Sequence, residues 1–202
     1  MTMRRILLVL SLLVSVPALA QYADPVWVEQ TAVDTFLSAA PEWQARVLQD
    51  ETQRLCSIRR NDPTPIEIGR IQVRERKSIK FPEDDEVMGD WRKGEAIAQS
   101  GVGNQFSDAP GTVSGGNCYA CHQLAGKELS FGTIGPSLLN YGRLRNYDPK
   151  AARVAFGKIY NAQASVACSL MPRFGRNRVL SEEQIKDVVA YLFSRDSPVN
   201  RR

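Results

Sequence analysis

The chain has 202 residues, 43% of them hydrophobic and 24% charged, with Lys+Arg 26 against Asp+Glu 22 and a formal net charge of +4. This composition excludes disordered, collagen-like and coiled-coil chains, and the length fits one domain or one domain with an extension. The basic residues are scattered rather than gathered in a stripe, which gives no case for a nucleic-acid partner.

The first segment reads Arg4-Arg5, an apolar run from Ile6 to Val14, then Val16-Pro17-Ala18-Leu19-Ala20. A charged start, a short apolar stretch and an Ala-x-Ala ending make residues 1–20 a signal peptide, with cleavage after Ala20 and delivery to the periplasm. The run is short for a membrane span; an uncleaved anchor is the alternative, and no span is expected after processing. Cleavage removes Arg4 and Arg5 and no acidic residue, so the mature net charge is +2. In that oxidising compartment, cysteines without another role pair and stay paired.

Residues 21–87 are polar and mixed, with Trp27, Trp43, Val47, Leu48 and Leu55 as the main apolar anchors. A few short helices are expected. The stretch Glu42 to Leu55 lacks Gly and Pro and is rich in helix formers, whereas Ile66 to Arg76 fits neither period. This part reads as an extension packed on a second unit, residues 88–202.

In that second unit Trp91 to Gln99 is a helix that Gly101-Val102-Gly103 should end. A Gly-rich connection, Gly111 to Gly116, leads to Asn117-Cys118-Tyr119-Ala120-Cys121-His122. Asp148 as N-cap with Pro149 at the first helical position starts a helix reaching about Tyr160. Ser181 with Gln184 forms a capping box, and Ile185, Val188, Val189, Leu192 and Phe193 follow the helical period. Hairpin signals are absent, so the unit is mainly α.

Cys118-x-x-Cys121-His122 is the c-type haem attachment pattern: two thiols bond the two vinyl-derived carbons while the adjacent histidine faces the iron. A thioredoxin-like dithiol competes, but no βαβ pattern surrounds the motif. A zinc site needs a fourth ligand, and the other cysteines are distant. His122 is the only histidine of the chain. The sixth iron position is therefore left to Met, Cys, Lys, a weaker donor or water. Past the leader only Met88 and Met171 remain. Pro172 pushes Met171 into extended backbone. The 49 positions from His122 to Met171 let the chain wrap a haem edge and return on its far side. Met171 is the expected distal ligand and Met88 a packing residue, although core filling is the commoner use of any methionine.

Four segments together, Trp91-x-x-Gly94-Glu95, Cys118 to His122, Gly132-Thr133-Ile134-Gly135-Pro136-Ser137-Leu138 and Cys168-Ser169-Leu170-Met171-Pro172-Arg173-Phe174-Gly175, resemble SoxX. SoxX is the monohaem subunit family of the bacterial sulfur-oxidation cytochrome SoxAX. The resemblance covers roughly residues 88–195 and implies a class I cytochrome c-like haem domain, here with an N-terminal helical extension. It implies one covalently attached haem c, and a Pro136 carbonyl that accepts the Nδ1 proton of His122; the alternative for Gly135-Pro136 is a plain turn. It also implies a heterodimer with a SoxA-like cytochrome subunit, transient contact with the carrier SoxYZ, and a soluble cytochrome as electron acceptor. The complex joins thiosulfate oxidatively to a carrier cysteine, and this chain takes up the electrons without being catalytic alone.

The extension departs from small cytochromes and leaves Cys56 and Cys168 without a haem role. One internal disulfide is the simplest use; two free thiols, a bond to another subunit, and Cys168 as a rival ligand are the alternatives. Arg173 is a candidate for neutralising a haem propionate. Arg143, Arg145, Arg176 and Arg178 face solvent or an acidic partner. Tyr141, Phe131, Phe156, Phe174, Tyr191 and Leu192 are candidates for a haem wall or for simple core. No carboxylate pair, activated nucleophile or phosphate loop is visible. A free-standing monohaem carrier and a ligand-binding haem sensor remain as other functions.

Overall fold

A computed structural model describes residues 24–109 and 111–201; the leader read over residues 1–20 lies outside them. Among the described residues the chain forms seven α-helices, three short 3₁₀ turns and no strand. The extension supplies α1 (Pro25–Thr35), α2 (Pro41–Val47), α3 (Glu51–Ile58) and α4 (Pro65–Arg76). The second unit supplies α5 (Trp91–Gln99), α6 (Pro149–Tyr160) and α7 (Glu182–Phe193). No helix among the described residues is long and apolar enough to cross a membrane.

Helix starts explain where the extension differs from its sequence reading. The helix-forming stretch Glu42 to Leu55 is split, because Asp50 turns out to be an N-cap. Its carboxylate accepts the Gln53 N–H at 2.9 Å, and the Gln53 side chain accepts the Asp50 N–H at 3.0 Å. That box starts α3 afresh after the extended backbone of Leu48. The ambiguous stretch Ile66 to Arg76 is helical for the same reason: Thr64 and Glu67 form a second capping box, with Pro65 at the first turn.

The main core is built where α5 crosses α7. Gly94 makes the crossing possible, since a Cβ there would collide with the Asp187 carbonyl and with Cβ of Tyr191. The Asp187 side chain also accepts the Asp90 N–H at 2.7 Å, fixing the start of α5 on α7. From α7, Ile185, Val188, Val189, Tyr191, Leu192 and Phe193 are buried, and α6 adds Ala152, Ala155, Phe156 and Ile159. Burying each large apolar side chain contributes about 1.5–3 kcal/mol relative to leaving it in water.

The extension is tied to this core at three places. The segment after α4 lays Phe81 over Phe156, with ring centroids 5.6 Å apart. From α4, the Gln72 amide donates to the Ser165 carbonyl at 2.9 Å and Arg76 donates to the Ala164 carbonyl at 3.2 Å. Cys56, Ile71 and Cys168 form a second small apolar cluster, within which Cys56 and Cys168 are joined by a disulfide across 112 positions.

Candidate haem-attachment site

The motif sits in a 3₁₀ turn, Cys118–Ala120, entered through Asn117 in left-handed backbone. The excursion from residue 101 to 115 closes behind it: Gly116 N–H donates to the Ile97 carbonyl at 2.8 Å and Asn117 N–H to the Ser100 carbonyl at 2.9 Å. Below, the Tyr119 and Tyr191 hydroxyls meet at 2.6 Å in the core, joining the turn to α7.

The 132–138 loop runs alongside the motif. Gly132, Gly135 and Leu138 donate their N–H groups to the carbonyls of Tyr119, Cys121 and Gln123, each at 2.8 Å. Two glycines make room for this approach. A Cβ on Gly132 would overlap the Ala120 carbonyl, and one on Gly135 would overlap the His122 ring. With the loop so close, Nδ1 of His122 lies 2.7 Å from the Pro136 carbonyl. A carbonyl can only accept, so Nδ1 carries the proton and the Nε2 lone pair is left for a metal.

The thiol chemistry separates the competing readings of the motif. Burial pushes the Cys118 thiol up to about 12. A redox dithiol needs an attacking sulfur with a lowered value, held near a cation or a helix start. Cys118 is the opposite. For zinc, no three His, Cys, Asp or Glu gather as a metal cluster among the described residues. Cys118 and Cys121 are free thiols, Cys56 and Cys168 being bonded to each other.

Met171 is half-buried and packs against the main core. Its loop is pinned on the far side by Gly175 and Arg176, whose N–H groups both donate to the Tyr160 carbonyl at 3.1 Å. Gly175 lies flat on the Tyr160 ring, where a Cβ would overlap it. Met88 packs on the core elsewhere, beside a hollow of about 610 Å³ lined also by Val87, Ala152 and Phe193, none of them from the motif or the Met171 loop.

Arg173 requires a correction. Its side chain is 5% exposed, and its guanidinium donates to Asp50 at 2.7 Å and lies 3.5 Å from Glu75, so it is committed to the extension rather than free for a propionate. Arg176 joins the same cluster, with Asp50 at 3.2 Å and Glu75 at 3.4 Å, instead of facing only solvent. Of the proposed wall residues, Phe156, Phe174, Tyr191 and Leu192 are buried in the main core. Tyr141 is half-buried, edge-on to Phe193 at 5.4 Å, and Phe131 is exposed. Asp50 and Glu75 were not singled out by the sequence, where they look like ordinary surface charges; only the capping box at Asp50 offered a signal.

These residues suit a haem. Two free thiols can bond its vinyl-derived carbons, a tautomer-locked imidazole offers Nε2 to its iron, and Gly135 lets the loop close on that imidazole. Large apolar side chains are left exposed beside these segments: Leu129 and Ile134 between the motif and Pro136, and Leu170 next to Met171.

The sequence profile of cytochrome c matches residues 92–196. The chain belongs to the cytochrome c family. As a cytochrome c it carries covalently bound haem c and works in electron transport. The cytochrome is also similar to a protein of Aquifex aeolicus (strain VF5) described as an uncharacterized lipoprotein, 38% identical over 162 residues, which are 78% of this chain and 76% of that one. That share exceeds the 105 residues of the profile match by about fifty, and only six residues follow 196. The likeness therefore runs more than forty residues upstream of residue 92, into the extension of the cytochrome.

Proposed function

We propose that this cytochrome is a periplasmic, SoxX-like subunit that accepts electrons from a thiosulfate-conjugating partner, with His122 and Met171 as the side chains that would hold the iron of one haem. What supports the reading is the set of four SoxX-like segments, two of which form the site. The ligand assignment is carried by two observations, a His122 locked by the Pro136 carbonyl and a Met171 packed against the core.

Haem held in this way supplies a one-electron couple. The residues of the chain do the rest. The Pro136 carbonyl polarises the Nδ1–H of His122 and makes Nε2 a better donor. The Met171 thioether, a soft donor, favours the reduced state and raises the potential. Two side-chain ligands leave no position for a substrate, so the sulfur chemistry belongs to a SoxA-like partner, thiosulfate going to a cysteine of the SoxYZ carrier. The electrons pass to a soluble cytochrome.

Met171→Ala tests the ligand. The variant is expected to lose the sulfur-to-iron charge-transfer band of the oxidised protein and to fall in reduction potential; an unchanged spectrum puts the ligand elsewhere. A pull-down from periplasm followed by a haem stain tests the partner. A second, SoxA-like haem band supports the heterodimer, whereas a single band leaves a free-standing carrier. Ready carbon monoxide binding by the reduced protein would instead make it a ligand-binding haem protein.

A further inference from the structure

The Met171 loop is held from both sides by the same two helices. Three residues before Met171, Cys168 is bonded to Cys56 of α3. Two residues after it, Arg173 is buried against Asp50, the N-cap of α3, and Glu75 of α4. Glu75 is 1% exposed and fully engaged: Thr52 donates to one oxygen, and Asn161 donates to the other at 2.7 Å. Arg176 reaches the same two carboxylates. A buried guanidinium is costly to leave without its partners, so the loop cannot lift Arg173 away while α3 and α4 stay in place.

We infer that α3 and α4 act as a clamp on the loop of Met171, in which Asp50 and Glu75, working through Arg173, are positioning residues that keep the thioether on the iron. The inference rests on the reading of Met171 as axial ligand. The added helices land on the two flanks of one short loop. Their effect is on ligand release: an external ligand enters the iron only when the loop opens, and opening requires the Arg173 contacts to part.

Imidazole binding to the oxidised holoprotein measures that opening. Asp50→Asn keeps an N-cap on α3, Asn being as good a cap as Asp, but removes the charge facing Arg173 and Arg176. Glu75→Gln keeps the shape of the side chain, removes its charge and replaces one of its two accepting oxygens with a donating NH2. Each is expected to raise the imidazole association rate by about tenfold, equivalent to about 1.4 kcal/mol. Glu67→Ala is the comparison: it removes the capping box of α4 and the Arg59 pair without touching Arg173, and should lower the urea midpoint while leaving the rate within about twofold.

If the wild type shows the charge-transfer band and both carboxyl variants bind imidazole at its rate, the clamp is overturned and the Met171 ligand stands. An equal rise in Glu67→Ala also overturns it, since general weakening of the extension then suffices. A wild type without the band overturns the ligand reading, and the clamp falls with it. Should Glu75→Gln fail to fold, Asp50→Asn decides alone.

Discussion

At Gly135 the backbone lies against the imidazole of His122, and the nearest atoms to an added Cβ are all in that ring. Gly135→Ala must therefore push the ring or the loop aside, parting the bond from Nδ1 to the Pro136 carbonyl. We expect a loss of about 1–3 kcal/mol in urea unfolding, the usual range for overpacking. Its potential should also rise, because an imidazole without that acceptor donates less to iron. Gly126→Ala is the control: its Cβ would reach no nearer than 4.0 Å to Leu139, and neither quantity should change appreciably. Asp50 gives a pH signature at the same scale. Burial alone would raise its carboxyl, but the Gln53 N–H and the Arg173 guanidinium overcome this and hold it below its ordinary value of 3.8. A lowered folded value means that its contribution is complete above about pH 4 and fades as pH falls through the folded value. Acid titration of the urea midpoint should show this fade in the wild type and a smaller one in Asp50→Asn.

Two helical glycines separate propensity from packing. Gly→Ala inside a helix gains about 0.5–1 kcal/mol from backbone entropy alone. At Gly69 in α4 nothing lies within 4 Å of an added Cβ, so Gly69→Ala should stabilise by about that amount. At Gly94 the methyl would enter the Asp187 carbonyl, and a packing cost of about 1–3 kcal/mol outweighs the gain. Thermal unfolding of the two variants should therefore shift in opposite directions. Element boundaries were legible wherever a cap or a stop signal met a helical run: α6 and α7 start where Asp148 and Ser181 put them, and α5 ends just ahead of Gly101. The extension was less legible because two of its four helices are set by boxes of four residues, Asp50 to Gln53 and Thr64 to Glu67, that precede weakly periodic stretches. The attachment motif was legible because covalent chemistry fixes its spacing. The destination of Arg173 was not, since a buried ion pair and a surface charge are the same letters in a sequence.

Across the whole molecule, the Cys56–Cys168 bond encloses both the α5 crossing and the attachment motif in one large covalent loop of 112 positions. Chain-entropy arguments give a bond closing a loop of that size about 4–5 kcal/mol of stability. The double variant Cys56→Ser with Cys168→Ser should therefore unfold at a clearly lower urea concentration, with the slope of the transition reporting a more expanded unfolded chain. The haem thioethers are unaffected by the change, so the absorbance of the attached haem serves as an internal standard for protein concentration.

The Tyr119–Tyr191 contact bears on the order of events during folding. Tyr119 belongs to the attachment turn, while its cover, Tyr191, lies 72 positions further along the chain, on α7. Until α7 docks, the turn lacks its floor and its thiols remain within reach of whatever machinery installs the porphyrin. Docking of α7 then shuts that window and seals the product.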